Sequence, residues 1–202
     1  MKAVDKQRIL PHRVSLGSLM GPQLDNIIQG ESIHVLYSDP PWGDGYLKMF
    51  ATYTEKVTGK RPVQPTHAQM CARYAQLVQR HVTGYVFIET SLACSGEFIA
   101  ALRPVVGTIR HQQITYANEL KAILIMAAMP GKSLPAIRTD GLKGIAFVTA
   151  VLRTVEKRGA FVLDPCCGAG YTARAAKSLG MIFRGNELNP ARLEKTIAHL
   201  SA

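Results

Sequence analysis

The chain has 202 residues, 47% of them hydrophobic and 19% charged, which suits one medium-sized domain with a real core and excludes a disordered chain. Its longest apolar stretch, Ala122 to Met129, is too short to cross a bilayer, and no secretory leader is evident, so no membrane partner is expected. The net charge of +10 favours a polyanion, nucleic acid above all. The excess is concentrated. Lys48, Lys56, Lys60, Arg61, Arg73 and Arg80 face only Glu55, and Arg103, Arg110, Lys121, Lys132 and Arg138 face only Glu119.

Short apolar runs alternate with helical patterns, the signature of an α/β fold. His12 to Leu16 reads as a short strand, and Ile33 to Tyr37 as a better one that ends at Ser38-Asp39-Pro40-Pro41. Ala68 to Val82 has helical spacing, Tyr85 to Glu89 is a strand, and Glu97 to Leu102 is a short helix stopped before Pro104. His111 to Tyr116 and Lys121 to Ala128 read as a reversed pair of strands around Asn118. Leu142 to Lys157 is helical, and Ala160 to Leu163 a strand that runs into a glycine turn and a helix from Tyr171 to Leu179. Met181 to Gly185 is the last strand, and Pro190 opens the last helix at a position proline tolerates. Residues 43–66 and 130–141, rich in Gly and Pro, read as inserted loops in a single domain spanning 1–202, and their basic residues make them candidates for substrate contact.

Two motifs carry chemistry. Asp164-Pro165-Cys166-Cys167-Gly168-Ala169-Gly170 follows a strand and opens a helix. Its glycines allow a sharp turn and the close approach of a ligand, and a helix N-terminus offers free amides. Glu187, at the end of the next strand, is placed to accept hydrogen bonds from ribose hydroxyls. A dinucleotide site is the rival, but Ala173 stands where a third glycine is needed, and Asp164 would repel a pyrophosphate while suiting a sulfonium ligand with an amino-acid tail.

Ser38-Asp39-Pro40-Pro41-Trp42 ends a strand, where open α/β sheets place ligands. An aromatic amino nitrogen is a poor nucleophile because its lone pair is delocalised into the ring. The Asp39 carboxylate and the Pro40 carbonyl form an acceptor pair that can hold both N–H groups, with the proline rings fixing the carbonyl's direction. Trp42 offers a flat surface for an extruded base.

With both motifs present, the chain resembles the S-adenosylmethionine-dependent amino-methyltransferases that act on adenine N6 or cytosine N4 in nucleic acids, in the permuted form whose catalytic tetrapeptide precedes the cofactor loop. Ser38 to Trp42 matches the catalytic motif, Asp164 to Gly170 the cofactor loop, and Gly185 to Pro190 the segment with the ribose-binding acid. The resemblance implies a Rossmann-like domain with a mostly parallel seven-stranded sheet and one antiparallel edge strand, the chain starting at strand three and ending after the second helix. It implies Asp39, Pro40, Pro41 and Trp42 as catalytic residues. Ser38, Asp164, Pro165, Cys166, Gly168, Gly170, Glu187 and Asn189 would bind S-adenosyl-L-methionine. Asp39, where cytosine enzymes usually carry Ser, favours adenine, and DNA is favoured over RNA.

The chain departs from the pattern at Gly17-Ser18, where the family commonly has Gly-Asp, and at Lys143-Gly144, where it often has Lys-Pro. No separate recognition domain can be fitted, so recognition is expected to be short, loose, or supplied by a partner such as the second subunit of a homodimer. Lys48, Lys56, Lys60, Arg61, Lys132 and Arg138 are candidates for phosphate contact. An RNA adenine methyltransferase and a catalytically idle nucleic-acid-binding subunit are the alternative readings. The four cysteines (Cys71, Cys94, Cys166, Cys167) form no Cys-x-x-Cys pair and the six histidines show no ligand spacing, so no metal is expected and a reducing cytoplasm is the expected location. Cys166 and Cys167 read as packing residues rather than nucleophiles.

Overall fold

The computed structural model describes residues 10–116, 120–139 and 141–202, so Asn118, expected between the reversed strands, lies outside the described residues. Seven strands form one sheet: β1 (Arg13–Leu16), β2 (Ile33–Ser38), β3 (Val82–Thr90), β4 (Thr108–Thr115), β5 (Lys121–Ala128), β6 (Phe161–Asp164) and β7 (Ile182–Glu187). Their order is β1-β7-β6-β2-β3-β5-β4. The first strand lies beside the last, with Val14 opposite Gly185. β5 runs antiparallel to both neighbours, so the reversed strand lies one place in from the edge, with β4 outside it.

Side chains alternate between two buried faces, as strands covered on both sides require. Val35, Tyr37, Phe87, Leu124 and Met126 join one cluster, while Leu36, Val86, Ile88, Ile123 and Ile125 join the other. The first face is covered by α5 (Gly144–Arg153), α6 (Tyr171–Ser178) and α7 (Pro190–Ser201), through Val151, Ala175 and Leu193. The second is covered by α1 (Pro22–Ile28), α3 (His67–His81) and α4 (Leu92–Leu102), through Leu24, Tyr74 and Phe98. None of the described helices is long and apolar enough to cross a membrane.

Two expectations are corrected, and one helix was not foreseen. Residues 43–66 are not one loop: Asp44–Thr58 forms helix α2, whose buried Leu47, Ala51 and Thr54 recur at helical spacing. The misleading glycines stand at its ends, Gly43 at the N-cap and Gly59 in the left-handed conformation that closes a helix. Helix α4 starts at Leu92, earlier than expected, capped by the Ser91 side chain, with Gly96 inside it. Helix α1, with Pro22 in its first turn, had no counterpart in the pattern. Residues 130–139 contain no helix or strand.

Candidate active site

Parallel strands β2, β6 and β7 end on the same side of the sheet, and the two motifs leave from those ends. Strand β2 ends at Ser38, whose fully buried Oγ donates to Asp164 Oδ1 at 2.8 Å and lies 2.7 Å from the Tyr74 hydroxyl. Ser38 therefore ties the tetrapeptide strand to the glycine-turn strand, and its side chain faces protein. The next residue, Asp39, opens toward the cleft. Its Oδ1 accepts from Trp42 Nε1 at 3.1 Å, and its Oδ2 accepts from the Tyr116 hydroxyl. Trp42 packs edge-to-face on Tyr116, centroids 4.9 Å apart, and lies tilted against Tyr46 at 6.1 Å. The indole thus orients the carboxylate as well as offering an aromatic face.

The second motif is built from backbone geometry. Gly168 and Gly170 hold positive φ angles of 55° and 91°, which side chains rarely adopt. A Cβ at Gly170 would come within 2.8 Å of Thr196 Oγ1, so glycine also permits α7 to pack closely. Asp164, 2% exposed, accepts from Ser38, from Thr172 Oγ1 at 2.6 Å and from the Cys166 amide at 3.1 Å. Glu187 accepts from the amides of Gly168 and Asn189, each at 2.8 Å. The Asn189 side chain caps α7, accepting from the amides of Ala191 and Arg192, so it organises the loop from the protein side. Burial pushes the Cys166 and Cys167 thiols up, which fits packing rather than nucleophilic roles.

Two adjoining hollows meet at Asp39, Pro41, Phe50, Cys166 and Arg192. The smaller, about 80 Å³, is lined by Gly17, Ser18, Pro165, Glu187 and Leu188. The larger, about 630 Å³, is lined by Asp39, Pro40, Trp42, Glu89, Tyr116, Gly168 and Tyr171, among others. Three poorly exposed carboxyls, Asp39, Glu89 and Asp164, therefore line the larger hollow, and Glu187 lines the smaller one, which Asp39 also borders. Burial raises Asp39 to about 6, opposed by its bonds to Tyr116 and Trp42 and by the Arg192 charge. Burial, then the charge of Asp39, raises Glu89 to about 8, against the bond it accepts from the Tyr37 hydroxyl at 2.5 Å. Burial likewise carries Asp164 to about 7 and raises Glu187.

Sequence reasoning missed Tyr116, Glu89, Phe50 and Arg192. Tyr116 meets Asp39 across 77 positions, which no local pattern encodes. Arg192 left a faint signal, a cation in the first turn of α7 where the helix dipole disfavours positive charge. In the structure it lies 5.0 Å over the Phe50 ring and borders both hollows. The predicted phosphate contacts Lys48, Lys56, Lys60, Arg61, Lys132 and Arg138 are all exposed. Arg61 already pairs with Glu55 at 3.0 Å.

No known protein-family model matches the chain, and no curated protein matches it. Solved structures do. The fold is that of TTHA0409 from Thermus thermophilus (TM-score 0.67, 16% identity, 94% of each chain covered). It is also that of M1.HpyAVI in its SAM complex (0.65, 15%, 94% of this chain and 98% of that one). The cytosine-N4-specific PvuII DNA methyltransferase is similar at 0.62, with 9% identity over 93% of this chain and 86% of that one. The chain thus has the Rossmann-like methyltransferase fold.

Proposed function

We propose that the chain is an S-adenosylmethionine-dependent methyltransferase that modifies the exocyclic N6 of adenine in DNA, with little sequence recognition of its own. One observation carries the reading: the Asp39 carboxylate, oriented by Trp42 and Tyr116, shares a cleft with the glycine turn. The similar folds support it, since M1.HpyAVI and TTHA0409 have each been solved with S-adenosylmethionine and the PvuII enzyme acts on DNA. In this reading the sheet is the family's, entered at its third strand, which is why β1 lies against β7.

The residues suit the cofactor. A cationic ligand would draw the carboxyls of Asp39, Glu89 and Asp164 on the larger hollow and Glu187 on the smaller toward their ionised forms, and Gly168 and Gly170 keep side chains out of the turn. When bound, S-adenosylmethionine supplies a methyl group on an electrophilic sulfonium. Glu187, on the smaller hollow, would hold the ribose hydroxyls, and Arg192 would balance the carboxyls between the two hollows.

Each oxygen of Asp39 takes one protein donor and keeps a second lone pair for an amine N–H. Together with the Pro40 carbonyl it holds the amino group while the nitrogen leaves conjugation with the ring and gains positive charge. That charge develops only as the new bond forms, so the carboxylate acts on the transition state. With its pKa near 6, Asp39 is ionised at neutral pH and basic enough to take the amine proton after attack. Trp42, Tyr46 and Tyr116 form the aromatic wall against which an extruded base stacks.

The test is direct. Incubation with a labelled methyl donor and either DNA or RNA, followed by nucleoside analysis, should give N6-methyladenine from DNA. N4-methylcytosine would overturn the base assignment, label in RNA alone would overturn the substrate, and no label with intact cofactor binding would leave an idle binding subunit. A methyl acceptor outside nucleic acid would overturn the reading as a whole.

A further inference from the structure

Behind the tetrapeptide, on the opposite face of the sheet from the glycine-turn helix, three potential metal ligands converge. His67 and Cys71 are one helical turn apart on α3, and Glu97 comes from α4, which packs against it. The ligand atoms of these three residues all lie within 4.8 Å of one another. His67 Nδ1 is 2.9 Å from Glu97 Oε2 and 3.8 Å from Cys71 Sγ. We propose that His67, Cys71 and Glu97 form a three-ligand site for a zinc-class divalent cation that pins α3 to α4 behind the tetrapeptide.

The donor set is the first argument. One imidazole nitrogen, one thiolate and one carboxylate suit a borderline-soft cation and are poor ligands for calcium or magnesium. Geometry is the second. Tetrahedral coordination at ordinary zinc distances puts sulfur and nitrogen about 3.6 Å apart, and nitrogen and oxygen about 3.4 Å apart. The nitrogen–sulfur separation here needs about 0.2 Å of adjustment and the nitrogen–oxygen separation about 0.5 Å, while sulfur and oxygen lie within 4.8 Å of each other. Charge is the third. Binding displaces the Cys71 thiol proton to solvent, and a dication held by thiolate, carboxylate and neutral imidazole leaves no net charge in a largely buried place.

The surroundings fix the ligands. His67 is buried, its ring packed edge-on against Phe98 with centroids 5.4 Å apart. Its backbone amide donates to Asp44 Oδ1 at 2.7 Å, joining the start of α3 to the start of α2, two residues beyond Trp42. Glu97 is the solvent-facing ligand, 54% exposed, and provides the entry path. Cys94 stands one turn before Glu97 on α4, with its sulfur just behind Gly43. Cys94 is not among the three converging ligands, so water would complete the coordination. The expectation of no metal took the cysteines and the histidines separately, whereas the spacing that matters here pairs a histidine with a cysteine.

Untagged protein, stripped with chelator and confirmed folded by circular dichroism, is titrated with Co²⁺ and with Zn²⁺. One equivalent per chain should bind, Co²⁺ should give a thiolate charge-transfer band in the near ultraviolet, and thermal stability should rise. Cys71→Ser should abolish that band. Because Cys71 is buried, Glu97→Gln at the exposed ligand is the independent variant, and it should weaken binding by roughly tenfold or more. Folded wild-type protein that gives no thiolate band and retains no zinc through gel filtration overturns the proposal. So does metal binding that persists unchanged in both variants. The readouts do not depend on methyl transfer, so they stand or fall separately from the function proposed above.

Discussion

The Tyr116 hydroxyl donates to Oδ2 of Asp39, from a residue that follows strand β4 at the far edge of the sheet. It holds the carboxylate by the oxygen that Trp42 does not bind. Tyr116→Phe should therefore lower turnover by roughly 10- to 100-fold, the scale of a lost hydrogen bond to a charged group, with cofactor affinity little changed. Asp39→Ala should cut turnover far more. The double variant should be no slower than Asp39→Ala alone, because the tyrosine acts through the carboxylate. Single-turnover rates with saturating cofactor measure all three, and independent, additive losses would contradict this coupling.

Trp42→Ala removes both the aromatic wall and a donor to Asp39. It should harm base capture and rate together, with the stacking part worth about 1–3 kcal/mol. Trp42→Phe should restore the stacking part and leave the orienting defect. The loss should be smaller on single-stranded DNA, where no base pair has to open. An equal loss on both substrates would argue against an extruded base.

Glu187→Ala should weaken S-adenosylmethionine binding by about 1–3 kcal/mol, measured by calorimetry. Part of that loss comes from the protein, since Glu187 also fastens the Gly168 and Asn189 amides. Glu187→Gln, which keeps a neutral acceptor, should retain more affinity than the alanine variant. Identical affinities in all three proteins would remove Glu187 from the site.

Buried carboxyls make stability depend on pH in an unusual direction. Glu89 is raised from 4.5 to about 8 and Asp164 from 3.8 to about 7. A folded-state value above the unfolded one contributes stability that is complete below the unfolded value and lost as pH rises through the folded one. Between pH 5 and 8 the cofactor-free protein should therefore lose stability, with Glu89 contributing part of the decline. Glu89→Gln should flatten the decline seen in denaturant titrations across that range. A variant that declines as steeply as the parent would show that Glu89 does not change its proton affinity on folding.

If the exposed cations of α2 and its following turn track phosphates, DNA affinity should fall linearly with salt on a double-logarithmic plot. Replacing Lys56 and Lys60 together should reduce the slope by about 2. Replacing Arg61 should matter less, because Glu55 already partners it. A slope unchanged in the double variant would place DNA elsewhere on the surface.

Much of this was legible from local patterns. The two motifs announced themselves by residue type and by position after strand-like runs, and the structure puts Asp39 and Gly168 on one cleft. The proximity of β1 and β7 followed from the resemblance, not from periodicity. Helix α2 was hidden because its end-capping glycines look like loop signals when the buried stripe of Leu47, Ala51 and Thr54 is overlooked. Tyr116, Phe50 and Glu89 were out of reach for another reason. Their significance lies in what they touch across the sheet, and nothing in their flanking residues records it. Ser38 and Asn189 were expected on the cofactor, whereas their side chains hold a neighbouring strand and a helix end.

The Ser38 hydroxyl sits between the Asp164 carboxylate and the Tyr74 hydroxyl, and Tyr74 in turn packs edge-on against Phe98, 5.5 Å away. The ends of two neighbouring strands are thus fastened by one buried atom, with no loop between them to absorb a shift. A ligand that moved one strand end would bear on the other. If cofactor and base bind as proposed, the two are thermodynamically linked, and whatever factor the first applies to the affinity of the second is returned to it unchanged. Ser38→Ala, by cutting that fastening, should make the two binding events more nearly independent.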